Sequence, residues 1–162
     1  MPSLKDLDQT YLTMAEQWAS LSKARRKKVG CLIVKNSSII SDGYNGTPKG
    51  FDNNCEDASP AVGGRIMVDD EGDWVEGTFN LKTKPEVLHA ESNAITKLAK
   101  STQSSEGATM YITISPCVEC AKLIIQSGIK RVVFGKIYKN DIKGIKLLKR
   151  AKIEVHSCEY KI

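Results

Sequence analysis

Two short motifs, His89-Ala90-Glu91 and Pro116-Cys117-Val118-Glu119-Cys120, constrain this chain more than any other feature. The sequence holds only two histidines, His89 and His156, so any metal scheme draws on very few imidazoles. Its five cysteines, odd in number and irregular in spacing, do not read as a disulfide framework. Pro116 suits the first turn of a helix, where its fixed φ is welcome and its missing N–H goes unused. Cys117 and Cys120 are then three apart, on one helical face and in a first turn whose dipole favours thiolate. His89 precedes its own helical stripe, so two helix N-termini are expected to converge on one cation. One imidazole and two thiolates leave a fourth tetrahedral position, the arrangement of a catalytic rather than a structural zinc. Glu91, two residues from His89, is placed as an acid/base beside the metal rather than as its fourth ligand. Either motif alone could be a structural zinc site or chance; the specificity lies in both together, each opening a helix.

The rest of the chain reads as an α/β fold. Leu4, Leu7, Tyr11, Met14, Trp18 and Leu21 recur at helical spacing and predict a helix packing that stripe on the core. After the basic cluster Lys23, Arg25, Arg26, Lys27 and Lys28, the segments Val29–Val34 and Ile39–Tyr44 predict a hairpin across Lys35-Asn36-Ser37-Ser38. Helices marked by Ala90, Ala94, Ile95 and Leu98, by Cys117 to Ile125, and by Ile142, Ile145 and Leu148 alternate with strands at Met110–Ile114, Arg131–Phe134 and Ile153–His156. Such steps build a sheet with helices on both faces. Between Asn45 and about Val87 the periodicity disappears, leaving a glycine-containing, acidic insertion that is either functional or a tolerated surface loop. Residues 1–162 are thus expected to form a single domain carrying an insertion at about 45–87. The net charge of +5 favours anionic ligands but falls short of a strongly basic nucleic-acid binder. No apolar run approaches the ~18 residues of a membrane span, and the first ten residues lack a signal-peptide stretch.

The pattern H-x-E…P-C-x-x-C is the known signature of zinc nucleobase deaminases. Beyond it, the chain resembles the deoxycytidylate (dCMP) deaminases, phage-type enzymes in particular, along almost its whole length. The resemblance lies in Gly43-Tyr44-Asn45-Gly46-Thr47-Pro48, His89-Ala90-Glu91-Ser92-Asn93-Ala94, Met110 to Cys117 and Gln126-Ser127-Gly128-Ile129-Lys130. It implies a cytidine deaminase-like three-layer α/β/α sandwich with a mixed five-stranded sheet. It also implies a cytoplasmic enzyme (in the host cytoplasm if phage-encoded) that deaminates dCMP to dUMP with one zinc, Glu91 carrying the protons. In the same way it points to Ser22, Lys23 and Arg26 near the phosphate, Asn45 at the deoxyribose, and Ser115 and Tyr138 as further substrate contacts. Arg25, Lys27 and Lys28 are taken as a solvated charge run. Cys31 is read as a small buried hydrophobe, and His156 and Cys158 as structural or surface residues.

Some phage relatives carry a second, structural zinc with histidines from the insertion. The segment Asn45–Leu88 contains Cys55 and no histidine, so one zinc per chain is expected. The resemblance further implies a homohexamer activated by dCTP and inhibited by dTTP. Effector contacts are expected at Gly46, Lys49, Gly50, Arg65 and Glu71, with Mg²⁺ accompanying the triphosphate. The competing functions are a tRNA-adenosine type nucleic-acid deaminase, which the acidic insertion argues against, a broader cytosine-nucleotide deaminase, and a non-enzymatic zinc module. No nucleic-acid or membrane partner is expected.

Overall fold

Ser3 starts the first helix with a capping box: its hydroxyl accepts the Asp6 N–H, and the Asp6 carboxylate accepts the Ser3 N–H. The computed structural model describes residues 2–60, 79–138 and 141–158. In chain order its elements are α1 (Leu4–Ala19), β1 (Gly30–Lys35), β2 (Ser38–Tyr44), β3 (Glu56–Pro60), β4 (Phe79–Thr83) and α2 (Ala90–Leu98). β5 (Thr109–Ile114), α3 (Val118–Gln126), β6 (Arg131–Lys136), α4 (Lys143–Arg150) and β7 (Glu154–Ser157) follow. Five strands form one mixed sheet in the order β2-β1-β5-β6-β7. β1 runs antiparallel to both β2 and β5, whereas β5, β6 and β7 are parallel. The β1–β2 hairpin turns through Asn36 and Ser37 at φ 49° and 60°, the doubly left-handed turn that matches strand twist.

Alternation along β1 divides the core into two layers. Cys31 and Ile33 face a cluster built from α2, α3 and α4, while Leu32 and Val34 face Leu12 and Ala15 of α1. The result is the expected three-layer α/β/α sandwich, each fully buried Leu or Ile contributing about 1.5–3 kcal/mol of burial.

Two expectations need correction. The stripe assigned to the core on α1 is packed only in its middle: Leu7 and Tyr11 are half-buried and Tyr11 packs on the core. The buried face is Asp8, Leu12, Ala15 and Ala19, whereas Leu4, Met14, Trp18 and Leu21 are 37–61% exposed. β1 sets that choice, because a Cβ on Gly30 would lie 1.9 Å from the Ala15 carbonyl oxygen. Only a small residue on the helix permits so close an approach. The insertion, moreover, is not devoid of regular structure: β3 and β4 pair as a separate antiparallel sheet, from Glu56 against Thr83 to Pro60 against Phe79. Among the described residues no helix is long and apolar enough to cross a membrane.

Asp8 is buried on α1 because Arg131, at the start of β6, reaches it with two hydrogen bonds of 2.8 and 2.6 Å. The Tyr111 hydroxyl donates to the same carboxylate at 2.8 Å, so one ion pair ties α1, β5 and β6 together. Burial alone would raise the Asp8 carboxyl, but Arg131 and Tyr111 hold it below its ordinary value. Asp8→Asn is therefore expected to cost about 3 kcal/mol of unfolding free energy at pH 7, because it leaves the buried Arg131 with only the exposed Glu154, 3.3 Å from its Nε, as an ionic partner. The depressed folded pKa makes this contribution complete above the unfolded value of about 3.9 and lost as pH falls through the folded value. Urea unfolding of both proteins at pH 7 and near pH 3 should show the gap closing in acid.

Candidate active site and metal centre

The antiparallel pairing of β1 with β5 brings the start of β1 beside the carboxyl end of β5, and there a cavity of about 230 Å³ opens. Ligands of α/β sheets gather outside the carboxyl ends of parallel strands. α2 is strapped to this end by Ser41 Oγ donating to the Ala94 carbonyl at 2.7 Å and Asn93 Nδ2 donating to the Tyr44 carbonyl at 3.0 Å. A Cβ on Gly43 would lie 2.2 Å from the Ala90 carbonyl oxygen, so the strand needs glycine to admit the helix. A two-way backbone bridge between Gly46 and Leu88 then fixes the residue preceding His89.

His89 and Cys117 are the N-cap residues of α2 and α3. Pro116 thus lies one position before the cap, not in the first turn as expected, with Cys120 at the third helical position. His89 Nδ1 stands 3.6 Å from Cys117 Sγ and 3.3 Å from Cys120 Sγ. Tetrahedral zinc with bonds of about 2.0–2.1 Å to nitrogen and 2.3 Å to sulfur places such donors about 3.5 Å apart. The three residues therefore fit zinc by donor chemistry and by spacing, and they are the one group of this kind among the described residues. Cys117 is lowered to about 3 by hydrogen bonds from Cys120 and His89, whereas the Cys120 thiol is pushed up by its bond to Cys117 and by burial. One proton remains with the pair, which a bound dication would displace.

Glu91, 3% exposed on the first turn of α2, lines the cavity beside His89 and Cys117. Burial lifts its carboxyl to about 7, where it can both hold and release a proton near neutrality.

Arg26, Asn45, Ser115 and Tyr138 also line the cavity. Asn45 spends both ends of its amide on the chain: Oδ1 accepts the Val29 N–H at 2.8 Å and Nδ2 donates to the Lys27 carbonyl at 2.7 Å. One lone pair and one hydrogen remain for a ligand. Ser115 Oγ accepts the Tyr138 N–H at 3.0 Å, joining the loops after β5 and β6. Ser22 and Lys23 do not line the cavity. Ser22 is fully buried, its hydroxyl donating to the Asn45 carbonyl at 2.7 Å, and Lys23 is exposed. Gly46 is half-buried, Lys49 and Gly50 are exposed, and Arg65 and Glu71 lie outside the described residues.

Sequence reasoning missed Lys27, Glu56 and Thr83, all on the cavity wall. Lys27 lies 4.8 Å from the centroid of the Tyr138 ring, a cation–π contact that a run of basic residues does not reveal. Cys31 is fully buried, and the Cys158 side chain is half-buried.

A family model described as the cytidine and deoxycytidylate deaminase zinc-binding region matches residues 5–136. The deoxycytidylate deaminase of Enterobacteria phage T4 is 36% identical over 176 residues, covering 94% of this chain and 90% of that protein. That of Mycobacterium phage D29 is 36% identical over 134 residues, covering 83% and 98%. The crystal structure of dCMP deaminase from the cyanophage S-TIM5 in complex with dCMP and dUMP matches with a TM-score of 0.77. Its identity is 35%, over 97% of this chain and 100% of that one.

α4 begins against the peptide that carries Cys117. A Cβ on Gly144 would lie 2.0 Å from the Pro116 carbonyl oxygen and 2.9 Å from the Cys117 backbone. Gly144→Ala must shift that backbone and is expected to weaken zinc binding by about 10- to 100-fold, as loss of a supporting contact to a ligand does. Competition with a chromogenic chelator measures the change.

Proposed function

Because this chain belongs to the cytidine and deoxycytidylate deaminase family, we propose that it hydrolyses dCMP to dUMP and ammonia, supplying dUMP for dTMP synthesis. The observation that carries this reading is the buried Glu91 carboxyl beside His89, Cys117 and Cys120, in a cavity that also presents Arg26 and Lys27. A zinc ion held by His89, Cys117 and Cys120 would supply an activated water at neutral pH. Glu91 takes up and returns protons: it protonates N3 of cytosine as C4 is attacked, then passes a proton to the amine that leaves as ammonia. Asn45 holds the sugar, Arg26 the phosphate, and Ser115 with Tyr138 the base side of the cavity. Ser22 and Lys23 serve the phosphate loop, Ser22 through its bond to the Asn45 carbonyl.

The test is ammonia release from dCMP, CMP, deoxycytidine and dCTP. dCMP should be the best substrate, and failure to release ammonia from any of them would end the reading. Equal use of all four would favour a broad cytosine-nucleotide enzyme. Glu91→Gln should retain zinc yet lose about 10²–10⁴ in kcat. Wild-type turnover in that variant would remove Glu91 from the mechanism.

The same proposal includes one zinc per chain, a homohexamer in the cytoplasm, activation by dCTP and inhibition by dTTP, with Mg²⁺ accompanying the triphosphate. Met14 and Trp18 of α1 and Leu21 just after it support assembly as apolar groups left exposed. Gly46, Lys49 and Gly50 support effector binding by position, since Gly46 is hydrogen-bonded to the residue before His89. Arg65 and Glu71 complete the proposed effector set. Coupling of about 1–3 kcal/mol corresponds to a 5- to 150-fold change in affinity. dCMP saturation should therefore be sigmoidal, become hyperbolic with dCTP, and shift to higher dCMP with dTTP, as measured by initial rates with Mg²⁺ present.

A further inference from the structure

Glu56, the first residue of β3, is 1% exposed and lines the same cavity as Glu91, yet the deamination gives it no task. A bare carboxylate there would repel a phosphate. Its contacts show where that charge goes. Oε1 accepts the backbone N–H of both Arg25 and Arg26 at 3.1 Å, and Oε2 accepts that of Arg25 at 3.2 Å. The Arg25 guanidinium adds Nε at 3.7 Å from Oε2 and a bond from Nη2 to the Glu56 carbonyl oxygen at 3.4 Å. Two consecutive N–H groups converging on one anion form a backbone nest, and charge-assisted bonds of this kind are stronger than neutral ones. The carboxylate thus holds the main chain at Arg25 and Arg26 and is itself neutralised by Arg25.

What remains for a ligand is the pair of cations that follows. Arg26 Nη1 donates to Thr83 Oγ1 on β4 at 3.2 Å, which uses one of its five donors, and Lys27 rests over the Tyr138 ring. Both line the cavity. We infer that Glu56 is a positioning residue for phosphate recognition: by clamping the Arg25–Arg26 backbone to the insertion, it sets where Arg26 and Lys27 present their charges. This rests on the nucleoside-monophosphate reading above. It makes the β3–β4 insertion part of substrate selection, where it would otherwise be an appendage to the sheet.

The experiment compares KM and kcat for dCMP and deoxycytidine in the wild type, Glu56→Gln, Arg26→Ala and the double variant. Glutamine keeps the size of the side chain but turns an amide donor towards backbone donors. Glu56→Gln should raise the KM for dCMP by about 10-fold while kcat changes far less, so the preference for dCMP over deoxycytidine shrinks by about the same factor. In the Arg26→Ala background the same substitution should cost less than it does alone, because the part of its effect that acts through Arg26 is already lost. An unchanged KM for dCMP, an equal loss on both substrates, or full additivity with Arg26→Ala would overturn the inference. If Glu56→Gln does not fold, Glu56→Asp carries the same test: the shortened carboxylate should weaken dCMP in the same direction, and a wild-type KM there is equally fatal. A wild-type enzyme indifferent to the phosphate removes the underlying reading, and the inference with it. A wild type that prefers dCMP beside an unchanged Glu56→Gln removes the inference alone.

Discussion

His89 and Cys117 occupy N-cap positions, although neither is among the residues that cap helices well, and His89 makes no capping bond from its side chain. A good cap is worth about 1 kcal/mol. α2 forgoes it, while at α3 Cys117 Sγ accepts the Cys120 N–H at 3.5 Å, so an imidazole nitrogen and a sulfur stand at the ends of two helices, where the peptide dipoles favour negative charge. The rest of the structure serves that convergence. α2 is brought in by Gly43 and the two side-chain straps from β2 and α2, α3 follows β5 through Pro116, and α4 closes over the Pro116–Cys117 peptide at Gly144. A side chain larger than hydrogen at Gly43 or Gly144 would push a ligand-bearing backbone out of place.

The second half of the site is a loop rather than a helix end. The chain between α1 and β1 carries Arg26 and Lys27, and three polar side chains hold it: Ser22, Asn45 and Glu56. Each binds main-chain groups. A loop stripped of regular structure must satisfy its backbone somewhere, and here side chains from the loop itself, from the end of β2 and from the insertion provide the partners. Asn45 accordingly shapes the site as well as facing it. The end at His89, Cys117 and Cys120 depends on backbone packing, the cationic end on side-chain hydrogen bonds to the main chain, and the cavity lies where the two meet.

Stability is secured elsewhere in the fold. The Asp8–Arg131 pair and the Tyr111 hydroxyl lie at the start of β6, the end of the parallel strands remote from the catalytic loops. This division lets the loops after β5 and β6 carry chemistry while the ion pair locks α1 onto the sheet.

Local patterns in the sequence determined the helices and strands of the main sheet, the Asn36-Ser37 turn and the four residues His89, Glu91, Cys117 and Cys120 that gather at the cavity. Each is encoded within a few neighbouring positions, as a period, a turn dipeptide or a short motif with fixed chemistry. Tertiary structure decided the rest. Hydrophobicity marked Met14, Trp18 and Leu21 for the core, but close approach to Gly30 required Ala15 on the packed face, and Asp8 could be buried only because Arg131, 123 residues away, pairs with it. Glu56-Asp57-Ala58-Ser59-Pro60 has no strand-like alternation, so its pairing with β4 comes from its partner. Lys27 resembles its basic neighbours until Tyr138 comes beneath it, and Glu56 gains its place from backbone groups about 30 residues earlier in the chain. These features are contacts between distant segments, and a one-dimensional pattern carries information only about neighbours.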